Sequence, residues 1–165
     1  PGLCVRADAR ADPNVLGLAA NRIYGPSYVS FATALRRHGM IPEAVPNMTC
    51  ATFAKRRTKR SDTPVGSFLY RDIPRAVFAH GVDLVGEKNG TRFLMAGPQK
   101  ALLDQLSTVG GIRSKRRLAD LLFEDLRVDA ETLSELDFAE TVAWAPGYRS
   151  DAVQTLLGSL KGGEG

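Results

Sequence analysis

The spacing of apolar residues changes period at Met95. From Asn47 up to it, short runs alternate in steps of two between turns carrying Gly, Pro or Asn, and after it they recur at intervals of three and four. Val82 to Val85 and Thr91 to Met95 are joined by GEKNG, whose Asn89-Gly90 is among the strongest hairpin signals. Asn47 to Thr52 and Gly66 to Arg71 (GSFLYR) also alternate, which predicts a second antiparallel hairpin across the charged loop AKRRTKRSDTP. Gly2 to Arg6 reads as a further strand.

Helices are expected on both sides of these strands. Asp12-Pro13 is a helix start, with Asp as N-cap and Pro in the first turn, and Val15, Leu18, Ala19 and Ile23 follow before Gly25-Pro26 closes it. The next helix begins at Ser27 or Ser30 and carries Tyr28, Phe31, Ala32 and Leu35 on one stripe, with Ser30, Thr33 and Arg37 opposite. Arg36, Arg37 and His38 fall in its last turn, where cations favour the macrodipole, and Gly39 stands at the left-handed C-cap. After Met95 come QKALLDQL, Ser114 to Leu126, Glu131 to Ala143 and Ser150 to Leu160, with Pro146-Gly147 separating the last two. The expected fold is α+β: a mostly antiparallel sheet of about four or five strands, flanked by helices, with a helical C-terminal part.

The net charge of +4 is unevenly spread, for residues 1–80 hold 12 Lys/Arg against 5 Asp/Glu, and residues 81–165 hold 10 against 13. Lys55, Arg56, Arg57, Lys59 and Arg60 crowd five cations onto one loop, a candidate grip on a nucleic-acid backbone. Arg113, Lys115, Arg116 and Arg117 sit at a helix N-terminus, where the macrodipole disfavours them. Two readings remain open: anion binding by that helix end, or neutralisation by the acidic stretch Asp120 to Glu140.

No catalytic constellation and no metal set emerges. His38 and His80 stand apart, no nucleophile elbow is present, and Cys4 and Cys50 lack CxxC spacing, so no zinc site, cofactor or disulfide is expected. Asp83 with Glu87-Lys88 lacks the strand spacing of a metal-dependent nuclease, and VGEKNGT lacks the glycine spacing of a P-loop. Without a signal h-region or an apolar run long enough to span a membrane, the expected location is the cytosol.

Three segments in order carry a resemblance: YVSFATALRRHGMIPEAVP (28–46), TPVGSFLYRDIP (63–74) and AGPQKALLDQL (96–106). They resemble the C-terminal domain of AbiEi-type antitoxins, the transcriptional regulators of type IV toxin-antitoxin, abortive-infection systems of bacteria. The matching positions are Tyr28, Ser30, Leu35, His38 and Gly39, then Tyr70 and Arg71, then Lys100, Leu103 and Asp104. Gly97 and Gln99 depart from the family's Thr and Glu, which weakens capping of that helix.

The resemblance implies a non-enzymatic antitoxin and accessory regulator in phage defence. Its functional partner would be a nucleotidyltransferase-like toxin, countered without a stable complex, and the basic loop would add contact with DNA. The family's N-terminal winged helix-turn-helix has no counterpart in this sequence. Residues 1–12 are therefore expected to be a linker remnant, 1–161 one antitoxin-like domain and 162–165 a disordered tail. The rival is a nucleic-acid- or nucleotide-processing enzyme with the same cations lining its groove. Lys100 and Asp104 are four apart on one helix face and can pair, so they too are expected to support the fold.

Overall fold

The computed structural model describes residues 12–88 and 90–162, so the strand expected at Gly2 to Arg6 and the last three residues lie outside the described part. Helix α1 (Pro13–Ile23) starts as the sequence predicts: the Asp12 carboxylate accepts from the Asn14 amide at 2.8 Å, and Pro13 opens the first turn. Its buried face consists of Gly17, Ala19 and Ala20. A Cβ on Gly17 would overlap the Phe93 ring, so this helix lies close against the sheet because its contact residue has no side chain.

Strand β1 (Tyr28–Val29) is short, and α2 (Phe31–Arg37) follows it. Of the two expected starts the structure has Ser30 at the N-cap position, but its side chain makes no cap bond, and Tyr28, expected on the helix stripe, belongs to a strand. The buried stripe is Phe31, Ala34 and Leu35, with Ala32 only half-buried. The helix ends in a Schellman turn, with the Gly39 amide donating to Arg36 O and the Met40 amide to Leu35 O. Gly39 takes φ +72°, which a side chain would strain.

Then come β2 (Met48–Thr52), β3 (Lys59–Thr63), β4 (Gly66–Asp72), the short α3 (Arg75–Phe78), β5 (Val82–Gly86) and β6 (Arg92–Ala96). They form one six-stranded sheet in the order β3-β4-β2-β1-β6-β5. The sheet is mixed: β1/β2, β3/β4 and β5/β6 are antiparallel, whereas β2/β4 and β1/β6 are parallel. The hairpin across GEKNG forms as expected, but GSFLYR does not pair antiparallel with Asn47 to Thr52. It pairs antiparallel with Lys59 to Thr63 and runs parallel to β2. Lys59 to Thr63 of the charged segment read as loop thus form an edge strand, where one edge and one face stay in water and charged side chains are tolerated. With β3 outermost, the chain returns through β4 into the space beside β2.

Side chains alternate between the two sheet faces. Val29, Cys50 and Tyr70 are register partners on the face that α1 covers, and the Tyr70 hydroxyl donates to Ala20 O at 2.7 Å. Tyr28 points to the other face, where α4 (Pro98–Ser107) lies. The C-terminal part adds α5 (Lys115–Ala119), which widens into a π-helical turn (Asp120–Asp125), then α6 (Ala130–Ser134), α7 (Thr141–Trp144), a 3-10 turn (Ala145–Tyr148) and α8 (Asp151–Lys161). The single helix expected over Glu131 to Ala143 is broken. Between α6 and α7 the Asp137 carboxylate accepts from the Ala139 amide and the Thr141 hydroxyl donates to Phe138 O, local bonds that compete with a helical ladder. Gly162, expected in the disordered tail, is the C-cap of α8. One apolar cluster runs through α1, the sheet, α4 and α8.

Candidate functional site

Lys100 and Asp104 lie one turn apart on α4, and both are buried, with 1% and 0% of their surface exposed. Their charges are 3.2 Å apart. Asp104 sits at the meeting point of three segments. Its Oδ2 accepts from Tyr28 Oη at 2.9 Å and from Ser30 Oγ at 2.6 Å, and its Oδ1 accepts from Tyr148 Oη at 2.5 Å. Lys100 Nζ donates to Val77 O and to the Tyr148 hydroxyl, each at 2.7 Å. The chain passes from β1 into α2 through Phe31 at φ +53°, and the Ser30 hydroxyl goes to Asp104 in place of a helix amide.

The electrostatics follow from this geometry. Burial pushes Lys100 below the ordinary lysine range, opposed by the Asp104 carboxylate. Burial, reinforced by that carboxylate, pushes the Tyr28 and Tyr148 phenols far up, so both remain protonated donors. Lysine, tyrosine and aspartate together could serve acid–base chemistry, but here each is saturated. Asp104 receives four donors, Lys100 spends its three on Val77, Tyr148 and Asp104, and no buried side-chain nitrogen or oxygen among the described residues lacks a partner. This cluster holds segments together.

Of the other residues that carry the resemblance, His38, Leu35, Leu103 and Tyr70 serve the same end. His38 Nε2 is 2.8 Å from Ala96 O, an acceptor only, so Nε2 carries the proton and ties the end of α2 to β6. Leu35 and Leu103 are core, Tyr70 anchors α1, and Arg71 is exposed. Outside Lys100 a cavity of about 400 Å³ opens between the start of α4 and α7, with Asp83, Asp137, Glu140 and Trp144 on its walls. His80 is exposed and stacks on Trp144 at 5.4 Å and 7°.

The basic loop is only partly free. Lys55 and Lys59 rest on the Tyr24 ring at 5.0 and 4.2 Å, and Lys55 Nζ also donates to Gly25 O. Arg60 pairs with Asp62 two residues along β3, on a solvent-exposed face. Asp72 organises the loop from within, accepting from Thr52 Oγ1 at 2.7 Å and from the Arg56 amide at 2.5 Å. Arg56 and Arg57 are exposed at the tip, so the five cations divide into two that hold the loop against Tyr24 and three that face water.

The second cluster stands apart, on α5 against α8. The expected neutralisation by Asp120 to Glu140 is not what the structure has. Among the described residues the only ion pair of this cluster joins Arg113 to Asp151, at 2.9 Å in solvent, while Lys115, Arg116 and Arg117 project outward. Ser114 caps their helix, its Oγ accepting from the Arg117 amide, which offsets the unfavourable placement of charge. No set of His, Cys, Asp and Glu among the described residues can hold a metal ion, and no helix there is long and apolar enough to cross a membrane.

Sequence reasoning missed Tyr148 and Asp72. Tyr148 lies 44 residues from Asp104, in a 3-10 turn with no motif of its own. Asp72 could have been found, because it follows Tyr70 and Arg71 inside the TPVGSFLYRDIP segment. No protein-family model, curated protein or solved structure matches the chain.

Proposed function

We propose that this domain is the effector part of an AbiEi-type antitoxin: a non-enzymatic protein that counters a nucleotidyltransferase-like toxin without a stable complex and contributes DNA contact as an accessory regulator. Support comes from one observation. The separated segments that carry the resemblance meet in space, with Tyr28 and Ser30 of the first bonded to Asp104 of the third, beside Lys100. Residues that identify a family are expected to coincide with those that specify its fold, and these four are buried together. The enzyme reading would need a reactive group at the cations, whereas the buried Lys100, Asp104, Tyr28 and Tyr148 spend their polar atoms on one another and on the fold.

Co-expression with the gene immediately downstream tests the proposal. Residues 1–165 alone are expected to restore growth under toxin induction. Continued toxicity in cells that contain the folded domain would refute the antitoxin reading.

The DNA contribution has its own measurement. Arg56, Arg57 and Arg60 face solvent, so changing these three to Ala should reduce the slope of log K against log salt by about 2–3, at about 0.9 for each phosphate no longer neutralised. Lys55 and Lys59 are left in place because they hold the loop against Tyr24. An unchanged slope would remove this loop from the DNA interface.

A further inference from the structure

The two edges of the sheet are built differently. β3 carries Lys59, Arg60 and Asp62 and is guarded by charge. β5 reads VDLVG, and its Leu84 is 57% exposed, directly opposite Leu94 at 43%. Among the described residues no strand lies beyond β5.

The hydrogen-bond phase of this hairpin is fixed at two points. The Gly97 amide donates to Gly81 O at 2.9 Å, so the hydrogen-bonded pairs fall at Gly81/Gly97, Asp83/Met95 and Val85/Phe93. Leu94 turns its own N–H and C=O away from β5, onto the Asn21 side chain at 2.6 and 3.4 Å, which sets the same phase independently. It follows that Val82, Leu84 and Gly86 direct their N–H and C=O groups out of the sheet edge.

We infer that this edge is a self-pairing interface: β5 of a second copy lies antiparallel along it, with Leu84 on the two-fold axis. In that register Leu84 exchanges both hydrogen bonds with Leu84 of the other copy, and Val82 meets Gly86 on either side. Residues that pair across two strands point to the same face, so Leu94, Leu84 and their symmetry mates form one continuous apolar row. The neighbouring registers are disfavoured by charge. An axis at Asp83 sets that carboxylate against itself, and an axis at Val85 sets Asp83 against Glu87, whereas the axis at Leu84 sets Asp83 against Val85. The two six-stranded sheets become one, and the inference holds whatever the domain acts on.

Sedimentation of the intact chain should show a concentration-dependent dimer that persists at high salt, because leucines form the seam. Leu84→Lys places an edge-guarding charge at the axis and is expected to abolish the dimer while leaving the melting temperature of the monomer unchanged. In a Cys4→Ser background, Leu84→Cys should give a disulfide-linked dimer under mild oxidation and Leu94→Cys should not, since Leu94 lies one strand further from the axis. A wild-type chain that stays monomeric at every concentration, a dimer that survives Leu84→Lys, or equal cross-linking at both cysteine positions would each overturn the inference.

Discussion

Replacing Asp104 by alanine is expected to destabilise the domain by about 3–5 kcal/mol, the usual cost of removing one member of a buried ion pair. The substitution strips the acceptor from Tyr28, Ser30, Tyr148 and Lys100 together, and it leaves the lysine charge in a site with 1% exposure. For a domain of this size the melting temperature should fall by roughly 6–20 °C. Lys100→Met is expected to cost less, because Asp104 keeps its three hydroxyl donors. The double variant Lys100→Met/Asp104→Leu should be more stable than the sum of the two single losses predicts, since packed apolar side chains then replace the pair. A loss below about 1 kcal/mol for Asp104→Ala would show that the cluster does not tie β1, α4 and the Ala145–Tyr148 turn together.

What could be read from the sequence, and what could not, divides along the range of the interactions. Asp12-Pro13, Gly39 and the GEKNG hairpin are local devices, each set by a few neighbouring residues, and all three stand where the sequence puts them. Strand order is not local. Nothing in MTCAT or GSFLYR says that a third strand lies outside them, and the strand that does so, KRSDT, is disguised by the charges an edge tolerates.

The same division holds for the site. Lys100 and Asp104 are visible as a pair four residues apart on one helix, and their association is a local event. Their burial beneath Tyr148, and the diversion of Ser30 from helix cap to carboxylate donor, depend on segments 44 and 74 residues away. The basic loop shows the opposite error. Its charge is conspicuous in the sequence, yet Tyr24 and Asp72 engage much of it in ways that only the folded chain reveals.

Alkaline conditions should unfold the domain steeply. Three of its four tyrosines, Tyr28, Tyr70 and Tyr148, have phenols pushed up by burial, as is the Cys50 thiol. A group whose folded pKa lies above its unfolded value contributes stability that is fully present below the unfolded pKa and is lost as pH rises past it. Unfolded tyrosine titrates at about 10, so above that pH each of the three phenols removes stability at about 1.4 kcal/mol per pH unit, about 4 together. Lys100 works in the other sense, since its folded pKa is lowered and its term rises with pH, but that rise ends near the unfolded lysine value of about 10.4. Beyond it the phenols and the thiol act unopposed. Against a typical total of about 5–15 kcal/mol, unfolding should be complete within about one to three pH units above 10. Far-ultraviolet circular dichroism and phenolate absorbance should therefore change together, and Tyr148→Phe should make the pH dependence shallower by one phenol's share. Phenols that ionise near pH 10 while the fold persists would mean that Tyr28 and Tyr148 are not held as donors to Asp104.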